Sequence, residues 1–148
     1  MHPFSAGELR AFRQAYAEQG FLVVPRLLAE GQVSELRQAL LGWTPEESET
    51  TEFGYLAHNL ANRLEPFRRL LEQGSIGALA ADLLGTEEAV LFQELLVWKH
   101  PMTTRQVEWH QDFSYWPLDR PAGLTIWIAL DDSDEENGCL RYIPGSHG

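Results

Sequence analysis

The 148-residue chain contains a single cysteine, Cys139. No internal disulfide can form, and nothing points to an oxidising compartment. Basic residues are also few: 11 Lys and Arg stand against 22 Asp and Glu, a formal charge of −11. That balance argues against nucleic acid or an anionic membrane surface as the main partner, and solubility accounts for the acidity. No apolar stretch approaches the roughly 20 residues of a membrane span. The start, Met1-His2-Pro3-Phe4-Ser5, has no basic region leading into an apolar run, so no secretory signal is visible. Internal repeats and low-complexity segments are lacking. What remains is a chain with 44% apolar and 22% charged residues, ordinary for a globular protein. Its length allows one domain with a modest core. A soluble, cytoplasmic protein is expected.

Local signals divide the chain. Ser5-Ala6-Gly7-Glu8 forms a capping box, with a hydroxyl at the N-cap and a carboxylate three residues on. Leu9, Phe12 and Tyr16 recur at helical spacing, and Gly20 is placed to stop that helix. Phe21–Val24 is a short β-branched run ended by Pro25, which predicts a strand. Val33, Leu36 and Leu40 define one face of a second helix, terminated at Gly42. Thr44–Thr51 is acidic, rich in Ser, Thr and Glu, and reads as a loop. Tyr55–Leu71 is helical in composition with a break at Pro66. Ser75 is placed to cap a helix carrying Ile76, Leu79 and Leu83 and stopped at Gly85.

The character changes near Glu88. Ala89–His100 and Val107–Phe113 predict strands, joined by a linker over Met102–Gln106. Leu118–Gly123 is a loop, and Leu124–Leu130 has the composition of a buried strand. Asp131–Gly138 is an acidic turn containing Asn137-Gly138, Cys139–Ile143 a short strand, and Pro144–Gly148 a further turn. The acidic run does not have the spacing of an EF-hand calcium loop. Residues 1–87 are thus mainly helical and residues 88–148 mainly β. This is an α+β plan in which helices support a sheet or barrel.

The chemistry centres on Trp109-His110-Gln111-Asp112-Phe113-Ser114-Tyr115-Trp116. In an extended strand, residues i and i+2 point to the same side, so His110 and Asp112 project together. An imidazole nitrogen beside a carboxylate oxygen is two-thirds of the 2-His-1-carboxylate set that holds non-heme Fe(II). The tripeptide alone is a weak signal, since a structural His beside a solvated Asp has the same spacing.

Its context is more specific. Gly20-Phe21-Leu22-Val23-Val24-Pro25 precedes a helix, and Leu83-Leu84-Gly85 precedes the β-rich half. Trp127-Ile128-Ala129-Leu130-Asp131-Asp132 leads to Glu136-Asn137-Gly138-Cys139-Leu140-Arg141-Tyr142-Ile143-Pro144-Gly145-Ser146-His147. Together with the His-x-Asp segment, in this order and spacing, they resemble the phytanoyl-CoA dioxygenase family of Fe(II)- and 2-oxoglutarate-dependent oxygenases. The resemblance covers nearly the whole chain. It implies a double-stranded β-helix, of jelly-roll or cupin type, with an N-terminal helical layer. It also implies hydroxylation of a small-molecule substrate with O2, coupled to oxidative decarboxylation of 2-oxoglutarate to succinate and CO2. His110 and Asp112 match the family's first two iron ligands. In the related halogenases a small residue stands at the Asp112 position, so a carboxylate there favours hydroxylation.

Further residues take roles by resemblance. Lys99 resembles a family lysine near 2-oxoglutarate, against the alternative of a strand-end surface lysine. Gln93 shares a strand face with Lys99 by parity and resembles a co-substrate contact, or makes a cross-strand hydrogen bond. Trp127 resembles a tryptophan beside the co-substrate, or is a core aromatic. Phe113 and Trp116 resemble walls of the substrate pocket, with packing as the alternative. His147 lies in a turn that is structural in the family. The distal iron-binding histidine and the arginine that clamps 2-oxoglutarate lie further along in family members. The resemblance therefore implies a chain incomplete at its C-terminus. The alternative is a non-catalytic barrel that binds metal weakly or serves as an interaction module. The substrate is not legible, although no basic cluster resembles a patch for coenzyme A.

Overall fold

The structure, a computed structural model, describes residues 3–43, 49–51, 54–99 and 106–148. It divides into two units, one of Met1–Leu27, Ser75–Val90 and Trp109–Gly148, the other of Leu28–Gly74 and Leu91–Glu108.

In the first unit, α1 spans Ala6–Gln19. The Ser5 hydroxyl accepts from the Glu8 N–H at 3.3 Å, and the Glu8 carboxylate accepts from the Ser5 N–H at 2.8 Å. These bonds satisfy donors that a helix start leaves without partners. They also lower the Glu8 pKa, with the Ser5 side chain as the main cause. The helix stops at Gly20, whose φ of 83° is open to glycine, and whose N–H reaches the Tyr16 carbonyl at 2.8 Å. Helix α4, Ser75–Leu84, packs with α1 and buries Leu79 and Ala81. Arg13 joins the two, pairing with the Asp82 carboxylate and donating from Nε to the Asp82 carbonyl at 3.1 Å. Gly85, at φ 69°, ends α4 as predicted.

In the second unit, α2 spans Glu30–Leu41 and α3 spans Glu65–Glu72. Leu36 of α2 and Phe67 of α3 are buried. Pro66 does not break a helix; it sits in the first turn of α3, where a missing N–H has nothing to lose. Of the residues expected to be helical before it, Tyr55–His58 lie in a strand and Leu60–Asn62 in a 3-10 turn. β2, Gly54–His58, lies between β1, Glu49–Thr51, and β3, Leu95–Trp98, in an antiparallel sheet of order β1-β2-β3. Tyr55 stands opposite Trp98 and His58 opposite Leu95. The expected Thr44–Thr51 loop therefore includes an edge strand, because β2 supplies the ladder; residues 44–48 lie outside the described residues. Gly54 is needed here: a Cβ on it would lie 2.2 Å from the Trp98 carbonyl oxygen. After β2, a 3-10 turn at Leu60–Asn62 buries Leu60 completely. The Glu94 carboxylate anchors that turn, accepting from the N–H groups of Leu60 at 3.1 Å and Ala61 at 3.0 Å.

The strands read from composition are mostly not formed. Phe21–Val24, Val107–Phe113, Leu124–Leu130 and Cys139–Ile143 join no ladder, and of Ala89–His100 only Leu95–Trp98 does. Much of the expected linker Met102–Gln106 lies outside the described residues. Apolar β-branched composition favours a strand but does not supply its neighbour, and a strand exists only where one is paired. Nor is Leu124–Leu130 buried. Its exposure alternates, with Leu124, Ile126, Ile128 and Leu130 half-buried and Thr125, Trp127 and Ala129 exposed. The described residues contain one three-stranded sheet and do not close a double-stranded β-helix.

Candidate functional site

His110 and Asp112 do converge, though not on a strand. Gln111 alone between them is extended, with φ −113° and ψ 130°, and a 3-10 turn begins at once over Asp112–Tyr115. One extended residue suffices to point its neighbours to the same side. The turn is closed by the Ser114 N–H to the Gln111 carbonyl at 3.0 Å and the Trp116 N–H to the Phe113 carbonyl at 3.1 Å.

His110 Nε2 lies 3.2 Å from Asp112 Oδ1, with side chains 35% and 43% exposed. Two donor atoms held at right angles by bonds of about 2.1 Å are about 3.0 Å apart. The observed pair therefore fits adjacent positions on one divalent metal. The Tyr115 ring lies edge-on to the imidazole, with centroids 5.5 Å apart and planes at 79°. The other oxygen, Asp112 Oδ2, accepts a hydrogen bond from the Thr125 hydroxyl. Tyr142 stacks on Phe21 at 4.8 Å, and its hydroxyl pKa is raised by burial first and by the Asp112 charge second. Among the described residues, no group of three or more His, Cys, Asp and Glu converges as a metal cluster.

A second anchor lies beside the motif. The Gln111 side-chain amide donates to the Ser146 carbonyl at 2.8 Å. Ser146 belongs to the Pro-Gly-Ser-His turn, which docks on the end of α1: the Gly145 N–H donates to the Gln19 carbonyl at 2.8 Å. His147 Nε2 lies 3.2 Å from the Ala17 carbonyl oxygen, and its ring occupies the space that a side chain on Gly20 would need.

The remaining sequence candidates fall on several segments. Phe113 lies half-buried within the 3-10 turn. The Trp116 indole lies against Gly123, where a Cβ would come within 2.8 Å of it. Trp127 is 46% exposed. Gln93 and Lys99 belong to the second unit, are exposed, and flank β3 without lying in it, so their shared strand face is not formed. Thr125 was not among the sequence candidates. Its contact with Asp112 spans 13 positions, and no motif spacing marks it.

The model of the phytanoyl-CoA dioxygenase (PhyH) family matches residues 16–148. The chain belongs to this family. One relative is the phytanoyl-CoA dioxygenase domain-containing protein 1 of Bos taurus, 39% identical over 107 residues. That match covers 70% of this chain and 34% of the bovine protein. The L-proline trans-4-hydroxylase of Streptomyces griseoviridis is 31% identical over 141 residues, covering 88% of this chain and 52% of that enzyme. The chain thus spans about a third to a half of the curated relatives it matches. A solved structure of the epimerase SnoN with Fe3+, alpha-ketoglutarate and nogalamycin RO aligns with 55% of this chain and 34% of its own. Its TM-score is 0.47 at 25% identity. Members of the family depend on Fe(II), 2-oxoglutarate and O2. Among the described residues, no helix is long and apolar enough to cross a membrane.

Proposed function

We propose that this protein is an Fe(II)- and 2-oxoglutarate-dependent dioxygenase that hydroxylates a small molecule. His110 Nε2 and Asp112 Oδ1 are then two of the iron ligands. The observation that carries the reading is their 3.2 Å separation, which suits neighbouring positions on one metal. Membership in the family supports it, and the name of the Streptomyces relative, a hydroxylase of L-proline, supports a small-molecule substrate. When bound, iron with 2-oxoglutarate and O2 supplies the oxidation, yielding hydroxylated product, succinate and CO2.

The protein's own groups bind and orient. His110 would offer Nε2 to the metal. Asp112 supplies one anionic oxygen and fills the place that a halide would take beside a smaller residue. Lys99 pairs with a carboxylate of the co-substrate, Gln93 hydrogen-bonds to it, and Trp127 flanks it. Phe113 and Trp116 wall the substrate side and exclude water. The fold that goes with this chemistry is a double-stranded β-helix behind a helical layer. The alternating exposure of Leu124–Leu130 supports its assignment as a barrel strand with one packed face.

An anaerobic titration with Fe(II) and 2-oxoglutarate tests the reading through the visible charge-transfer band of the chelate. A saturable band, lost in His110→Ala, is expected. A folded chain that gives no band refutes an assembled site and leaves the weak metal-binding or interaction module.

A further inference from the structure

A carboxylate can give a metal one oxygen or two, and the choice decides how many positions remain for other ligands. The torsion that turns a carboxylate about its Cβ–Cγ bond is broad and soft, so an aspartate ligand needs outside help to present one oxygen alone. Asp112 has that help. Its Oδ1 faces His110 Nε2 at 3.2 Å, while its Oδ2 accepts the hydroxyl proton of Thr125. A hydroxyl donating to an ionised carboxylate makes a charge-assisted bond, among the stronger kinds in proteins. Thr125 comes from a segment in which its neighbours Leu124 and Ile126, and Ile128 beyond, are half-buried while Thr125 itself is exposed.

We infer that Thr125 is the positioning residue of the His110–Asp112 pair, holding Oδ2 away so that Asp112 binds metal through Oδ1 alone. This rests on the metal reading of the pair. The consequence is a count of open positions. A bidentate Asp112 would take one more place on an octahedral ion, in competition with O2 or the keto acid. The Thr125 hydroxyl keeps that place open without itself touching the metal.

The experiment compares the full chain with Thr125→Val, which keeps the shape and removes the hydroxyl, and Thr125→Ser, which keeps the hydroxyl. Anaerobic Co(II) is the probe, since its visible bands report both occupancy and coordination number. Loss of a partner that orients a metal ligand weakens binding by about 10- to 100-fold. Thr125→Val is expected to weaken Co(II) by at least about tenfold and to change the band intensities. Thr125→Ser is expected to restore both. A Val variant with wild-type affinity and spectrum overturns the inference. Should Thr125→Val fail to fold, Thr125→Ala is read against Thr125→Ser in the same titration. Urea melts of the metal-free chain, cycled between Thr125→Val and Asp112→Asn, report the hydroxyl–carboxylate bond by itself. Coupling in that cycle, together with a wild-type chain that binds no Co(II), overturns the metal reading while the contact stands. No coupling at all overturns the Thr125 inference whatever the metal does.

Discussion

Gly20 offers a prediction with an internal control. The residue has φ 83°, and an added Cβ would lie 2.4 Å from His147 Nδ1, 2.5 Å from Cγ and 2.7 Å from Cβ. These atoms sit close to the His147 backbone, so the imidazole cannot swing aside about its outer torsion alone. Gly20→Ala must displace the whole side chain and break its contact with the Ala17 carbonyl. The left-handed conformation costs an alanine about 1–2 kcal/mol. Losing the ring's hydrogen bond adds about 1 kcal/mol, less where water replaces it. The sum is about 2–3 kcal/mol. Gly85 ends α4 with φ 69° and has nothing within 4 Å of its would-be Cβ. Gly85→Ala therefore carries the backbone cost alone, about 1–2 kcal/mol. Urea denaturation followed by circular dichroism compares the two, in the wild-type background and in His147→Ala. Gly20→Ala is expected to exceed Gly85→Ala by about 1 kcal/mol, and the excess should shrink when His147 is alanine, which removes the ring and its hydrogen bond and leaves only the Cβ contact. Equal losses in both backgrounds would refute the docking of His147 against the end of α1.

Two further outcomes follow from the capping contacts. The Glu8 pKa is lowered in the folded state by Ser5, so its contribution is present above the ordinary value of 4.5 and is lost as pH falls below it. Acid titration of helicity should show this loss in the wild type and not in Glu8→Gln. Replacing Glu94 by alanine removes the acceptor for two backbone N–H groups at the buried Leu60 turn, and should lower stability by about 1–3 kcal/mol in urea melts. Glu94→Gln keeps one acceptor oxygen and should lose less.

The helices were legible because their signals are local. Ser5 with Glu8, and the stops at Gly20, Gly42 and Gly85, each act within a turn of their own position. The strands were not, because pairing is settled at a distance. Thr50 belongs to a strand only because Tyr55 faces it, and Leu96 only because Ala57 does. The same apolar composition at Phe21–Val24 finds instead an aromatic stack, Phe21 on Tyr142. The convergence of His110 and Asp112 was legible although the element was wrong, since spacing of two needs only one extended residue between. The parity argument for Gln93 and Lys99 needed a strand running through both, and β3 is too short to supply it. Thr125 was invisible for the reason that makes it informative: its partner is set by packing and not by spacing.

The turn on α1 also carries an order of events. Ala17 and His147 stand 130 positions apart. At about 5–20 residues per second, a ribosome leaves an interval on the order of ten seconds between them. Every residue of the second unit, Leu28–Gly74 and Leu91–Glu108, emerges in that interval. A 14-residue helix on its own is marginal in water, so α1 waits with its last carbonyls hydrated. Residues of the first unit therefore emerge both before and after those of the second. During synthesis, the end of α1 is a surface held in reserve for a segment that does not yet exist.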